Sequence, residues 1–302
     1  MLTRRSLIRS AQVLCISSAA LLTPITLAPP ASAATLPVTC SETALRNAIT
    51  TANGTPASDT LNLAPGCTYR LTTELPAITS PIVINGNGDT ITRLSGTFRI
   101  LTVKGGALTL RAAILSKGDA TGSPVENGAG GAIVVTGNGS LNLSSSVIRD
   151  NSANFGGGIS VFSGSQAQIN ASVFTENKAT QNGGGIVSDG TTTVNTSQIS
   201  RNTAGNVGGG IASIGTLTVN ASNLVNNTAP NGGGGIANGV PAASGGTSTV
   251  TTSNISNNSA GGANPGGIYN NGGTVTLRVS LVAANTPGNC LNSPSPVPGC
   301  VG

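Results

Sequence analysis

Acid–base chemistry on this chain would have to start from very few residues. The 302-residue sequence contains nine Asp and Glu in total and no His. Two of the acids, Asp150 and Glu176, take the same place in neighbouring copies of a repeat, each immediately before an asparagine. Arg201 takes that place in the next copy, and Lys178 follows shortly after Glu176. If the copies stack as strands, about 4.8 Å apart, the two carboxylates and a basic neighbour could work as acid and base on a glycosidic bond. A lyase would instead need a basic proton acceptor, often with calcium held by several acids. The simpler reading is a surface charge ladder, Glu176 with Arg201, of small energetic worth. Carboxylates that close would have to share a proton, and no aromatic sugar platform accompanies them. The expectation is a non-catalytic chain, with Asp150, Glu176, Lys178 and Arg201 as the candidates should it prove to be an enzyme.

Other chemistries find less. The glycine clusters carry no Asp of the kind that calcium-binding nonapeptides need. They are not followed by Lys-Ser/Thr, so they are not phosphate loops. Neither a metal nor a cofactor is expected. One row could bind through hydroxyls: Thr193, Thr218, Thr249 and Thr276 recur on an outward strand position, beside Asn195, Asn220 and Thr251. Such an array could hold a glycan or order water as ice-binding surfaces do, although threonine also simply suits exposed strands.

The element that must position all of these is the repeat. "SVFTENKATQNGGGI" (Ser172 to Ile186) returns as "SQISRNTAGNVGGGI" (Ser197 to Ile211) and "SNLVNNTAPNGGGGI" (Ser222 to Ile236). Its serine recurs at Ser146, Ser172, Ser197, Ser222, Ser253 and Ser280, and its asparagine at Asn151, Asn177, Asn202, Asn227, Asn258 and Asn285. Before each serine stands a short alternating segment such as "TTVNT" or "LTVNA", which reads as strand. Each unit of about 25 residues thus holds three short strands, after the glycines, before the serine and after it. No unit buries its apolar side chains alone, but stacked units do. The expected fold is all-β: a right-handed parallel β-helix of about eight or nine coils. Leu143, Ile169, Val194, Val219, Val250 and Leu277 should line one inner face. The asparagines should form a ladder bonded to neighbouring coils. Upstream, "SETALRNAITTANG" (Ser41 to Gly54) reads as a short helix able to cover the open end, with Ser41 as N-cap and Gly54 as stop.

Composition agrees with a narrow solenoid core. Gly is 43 of 302 residues, aromatics are 2% and charged residues 8%, against about 25% charged in ordinary domains. The N-terminus has Arg4, Arg5 and Arg9, an apolar stretch and Ala31-Ser32-Ala33, which reads as an export signal over residues 1–33. Its removal takes three of the 14 basic residues, so no nucleic-acid patch is expected. No transmembrane segment is expected in the remainder. Cys15 would leave with the signal. Cys40, Cys67, Cys290 and Cys300 remain, and three pairings are open. Local bridges, Cys40 with Cys67 and Cys290 with Cys300, are the economical choice for an exported chain. The expected layout is a cap over 34–60 with a helix at 41–53, a β-helix over 61–288 with regular repeats from 130, and a disulfide-closed tail over 289–302.

These residues carry a resemblance. "TRRSLIR" resembles the bacterial twin-arginine export signal. "GGAI" (Gly130 to Ile133) with "FTEN" (Phe174 to Asn177) resembles the GGA-I and F-x-x-N repeats of polymorphic outer membrane proteins. "VTCSETALRNAITTAN" with "PIVINGNGDTITRL" looks like exported bacterial β-helix proteins of the pectate-lyase-like superfamily. The resemblance spans roughly residues 38 to 290 and differs from the first family in having Phe in only one unit. It implies a monomeric secreted, extracellular or cell-surface protein, adhesin-like or glycan-binding. The polysaccharide or cell-wall glycan partner is an expectation, and a polysaccharide lyase or glycoside hydrolase is the alternative.

Overall fold

The structure is a computed structural model that describes residues 32–302. The export-signal reading, with Arg4, Arg5, Arg9 and Cys15, lies outside the described residues. The rest is a parallel β-solenoid. One coil is seen most simply between Ile186 and Gly210. The strand Ile186–Ser188 is followed by Thr191–Asn195, Gln198–Ser200 and the two-residue Thr203–Ala204, and then by the loop to the next glycines. Each strand pairs with its equivalent in the coils before and after.

Four sheets result. The first has ten strands, from Thr35–Val38 to Thr274–Arg278, so the solenoid has about ten turns. The second has nine strands, from Thr68–Leu71 to Leu281–Ala283. The third is a row of five two-residue strands, from Ser152–Ala153 to Ser259–Ala260. The fourth begins at Leu101–Lys104 and runs to Ile268–Asn270, with an antiparallel hairpin between Ile236–Val240 and Ala243–Ser244 branching from it. Two details differ from the sequence reading. The coils slightly outnumber the expected eight or nine, because Thr35–Val38, Asp59–Leu63 and Pro81–Asn85 extend the first sheet without the repeat's asparagine. Each regular coil also has a fourth strand, too short to show any periodicity of its own.

The interior is a stack of like residues. Leu143, Ile169, Val194, Val219 and Val250 are in register and fully buried, and Leu277 closes the row partly covered. Between the first and second sheets, and again between the second and third, the chain turns on a single residue in left-handed conformation. The first corner is held by Ala171 (φ 46°), Thr196 (φ 49°) and Ala221 (φ 46°), among others. The second is held by Asp150 (φ 56°), Glu176 (φ 59°), Arg201 (φ 55°), Asn226 (φ 59°), Asn257 (φ 57°) and Ala284 (φ 54°).

Each corner interrupts the sheet's hydrogen bonding, and the residue that follows it restores the bonds with its side chain. After the first corner, the Ser172 amide donates to Ser197 Oγ at 3.1 Å, and Ser197 to Ser222 Oγ at 3.0 Å. After the second, Asn177 N and Nδ2 both donate to Asn202 Oδ1, at 3.0 and 2.9 Å. Nδ2 also reaches the Ile148 carbonyl at 2.9 Å. The pattern repeats from Asn151 to Asn285. The serine hydroxyl also donates, Ser197 Oγ to the Asn195 carbonyl at 2.8 Å, whereas the asparagine amide has two N–H donors and reaches both the next asparagine and a carbonyl. The glycine cluster has two roles. Gly183 has φ +69°, and a Cβ on Gly184 would lie 2.4 Å from the Gly209 carbonyl of the next coil.

The ends are closed. Helix Glu42–Asn53 is capped by Ser41, whose Oγ accepts from Ala44 N, and buries Leu45, Ile49 and Ala52. Gly54 ends it with φ −76°, so its freedom for a left-handed turn is unused. Disulfides join Cys40 to Cys67 and Cys290 to Cys300.

Candidate functional site

The outward face of the first sheet forms a shallow groove of about 410 Å³. Its walls are Thr109, Ser140, Asn142, Gln166, Gln168, Thr191 and Thr193, with Ala107 and the buried Leu108, Leu141 and Ala167 beneath. The groove exists because alternate residues of each strand face outward, and on these four coils they are short or uncharged. Register carries the same chemistry onward. Thr191, Thr216, Thr247 and Thr274 form one outward column, and Thr193, Thr218, Thr249 and Thr276 form the second. Beside them Asn195 Nδ2 donates to Asn170 Oδ1 at 2.9 Å and Asn220 Nδ2 to Asn195 Oδ1 at 3.0 Å. The face is therefore a lattice of hydroxyls and amides, about 4.8 Å apart between coils and about 6.6 Å apart along a strand.

A second groove, of about 390 Å³, lies on the second sheet at the upstream coils. Thr68, Thr90, Thr92 and Ser116 line it with Arg70, Arg93, Lys117 and Arg149. Arg93 Nε donates to the Lys117 carbonyl at 2.6 Å, and its guanidinium is 3.8 Å from Asp119.

The charged candidates from the sequence do not converge on either groove. Asp150, Glu176 and Arg201 occupy the left-handed corner, where the backbone conformation is what the fold requires and the side chain is free to vary. Asp150 pairs with the adjacent Arg149 at 2.7 Å, and Glu176 with Arg201 at 3.1 Å. Both side chains of the latter pair are half-exposed, which is the geometry of a weak surface bridge. Lys178 lies in the third sheet with its side chain outward. No acid lines either groove. No cluster of His, Cys, Asp and Glu suited to a metal occurs among the described residues. The ladder asparagines are buried inside the coil and offer nothing to a ligand.

Sequence reasoning missed the column Thr191, Thr216, Thr247 and Thr274, the basic groove and the surroundings of Asp189. The first had a signal in "TTT", "TLT", "TST" and "TVT", which put threonine at both outward positions of four successive strands. Arg70, Arg93 and Lys117 sit on coils without the repeat's markers, so their register was hidden. Phe162, Asp189 and Ile214 share one place in successive coils, but each directly follows its strand, where three unlike residue types show no pattern. No protein-family model, curated protein or solved structure matches the chain.

Proposed function

We propose that the chain is an exported, adhesin-like glycan-binding protein without catalytic activity, similar in architecture to pectate-lyase-like β-helix proteins. The observation that carries this reading is the uncharged groove on the first sheet. Its hydroxyls and amides can donate and accept in turn, which suits the hydroxyls of a neutral polysaccharide. Its repeat in register suits an extended polymer better than a single small molecule. Without an aromatic platform each sugar is held weakly, so affinity has to build along the polymer. The lack of acids in either groove weighs against the hydrolase alternative, which needs paired carboxylates at the scissile bond, and against a lyase that holds calcium on several acids. The two disulfides are compatible with an oxidising compartment outside the cell. No helix among the described residues is long and apolar enough to cross a membrane.

The test is retention of the purified protein on a panel of immobilised neutral and acidic polysaccharides. A neutral polymer should retain it, and the double variant Gln166→Ala, Gln168→Ala should weaken that retention about tenfold, as expected for two lost hydrogen bonds. Silence across the panel, or retention indifferent to the double variant, would sink the reading.

A further inference from the structure

The fourth sheet carries an apolar cluster outside the coil interior. Central residues of its strands point outward, yet Val187, Ala212, Ala237 and Tyr269 are buried there, with Phe155 and Val240 packed against them. The chain has only four Phe and two Tyr, so an outer face holding Phe155, Phe162 and Tyr269 concentrates half of its aromatics. Phe155 and Phe162 border a cavity of about 170 Å³. Ser160, Val187 and Ala212, aligned in register, form its floor. Phe155 stands on one side, and Phe162 and Ile214 on the other, with Asp189 between them.

Asp189 follows the strand Ile186–Ser188, and its amide donates to the Val161 carbonyl at 2.8 Å. That places it one coil on from Phe162 and one coil before Ile214. Its carboxylate has no ion pair and no side-chain hydrogen bond among the described residues. No other charged group lines the cavity. Asp189 keeps an exposed edge to solvent, and partial desolvation by these apolar neighbours pushes its carboxyl above the usual range. Seven of the other eight acids have a guanidinium or a hydrogen-bond donor of their own: Glu42, Glu74, Asp59, Asp89, Asp119, Asp150 and Glu176.

We propose that this cavity binds a methylated ammonium head, the chemistry of choline, with Asp189 as its counter-ion and Phe155 and Phe162 as its aromatic walls. The site supplies one negative charge and two aromatic rings, and its other polar side chains are Ser160, Ser213 and Asn182, whose Oδ1 already accepts from Asn206 Nδ2. A primary ammonium, strongly hydrated and needing three acceptors, is poorly served there. A methylated ammonium needs none and is drawn to carboxylate and ring faces alike. The cavity is smaller than the roughly 300–1,000 Å³ of drug-sized sites, which limits it to a single head group. That head group is equally the chemistry of free choline and of a phosphocholine displayed on a lipid or polymer.

The test titrates the purified protein with choline, with ethanolamine and with the neutral isostere 3,3-dimethylbutan-1-ol, following amide shifts of Phe162 and Ile214 by NMR. Choline should bind saturably with a dissociation constant on the order of 1 mM. Ethanolamine and the isostere should each bind about tenfold more weakly, and Asp189→Asn should weaken choline by at least about tenfold. Choline affinity should also fall on acidification, as Asp189 takes up a proton. Ser160→Leu, which fills the floor, should abolish binding while the solenoid stays folded by circular dichroism. Capture by phosphatidylcholine vesicles would assign a displayed head group as the source, and binding of free choline alone the soluble one. Either supports the site. An absence of saturable choline binding, equal binding of the neutral isostere, or full affinity in folded Asp189→Asn would overturn it.

Discussion

A single ladder asparagine shows how much one side chain holds in this fold. Asn202 is fully buried, and its amide serves four partners. Oδ1 accepts from Asn177 N and Nδ2, while Nδ2 donates to the Phe174 carbonyl at 3.1 Å and to Asn227 Oδ1 at 3.0 Å. Removing it strands donors and acceptors in two neighbouring coils where water cannot reach them. Each buried group left unpaired costs about 1–3 kcal/mol. Asn202→Ala should therefore destabilise the solenoid by at least about 3 kcal/mol, measured by urea unfolding. Glu176→Ala, at an exposed corner pair, should cost less than about 1 kcal/mol. A reversal of that order would mean the ladder is not what holds the coils in register. The ladder was legible in the sequence because its chemistry leaves no substitute, so Asn recurs unchanged. Asp189 was not legible as a site, because the residues around it are ordinary apolar types that gain meaning only when the coils are stacked.

At the scale of the element, the corners follow conformation and not side-chain identity. The corner before the serine ladder is taken by Ser145, Ala171, Thr196, Ala221, Thr252 and Val279, all with φ between 46° and 50°. None of these is Gly or Asn, the residues that adopt this conformation most readily. Val279 is the extreme case, β-branched at φ 49° and 92% exposed, so no packing compensates its strain. Val279→Asn should stabilise the last coils by about 1 kcal/mol, read as slower hydrogen exchange at Leu281 and Val282. Unchanged or faster exchange would show that the valine contributes something its exposure hides. This is why repeat boundaries and strand faces could be read from the sequence while the charged corner residues misled. Asp150, Glu176 and Arg201 aligned because each sits at a turn that accepts almost any side chain, and alignment suggested a chemistry that the position does not require.

A solenoid is quasi-one-dimensional, and each of its coils is stabilised mainly by its neighbours. Loss of order should then begin at an end, and the N-terminal cap has a titratable latch. Glu42, in the first turn of the cap helix, accepts from Thr72 N and Oγ1, at 3.0 and 2.8 Å, and from Thr73. It also pairs with Arg46, which in turn donates to the Glu74 carbonyl. Burial opposes its ionisation, but the bonds from Thr72, Arg46 and Thr73 outweigh it and bring the pKa down from 4.5 to about 2. A carboxylate depressed in the folded state contributes its full stability above the unfolded value and loses it as pH falls through the folded one. Allowing for solvent screening, the latch is worth about 1–2 kcal/mol at neutral pH. Between pH 4.5 and about 2, hydrogen exchange should accelerate in Glu42–Asn53 and the first coils and stay slow in the regular repeats. The Cys40–Cys67 bridge keeps the start of the helix tethered even then. In Glu42→Gln the cap should already be loosened at pH 7 and should change little on acidification. Acid-induced exchange spread evenly over all ten strands of the first sheet would show instead that the solenoid opens as one cooperative unit, with no weak end for the cap to guard.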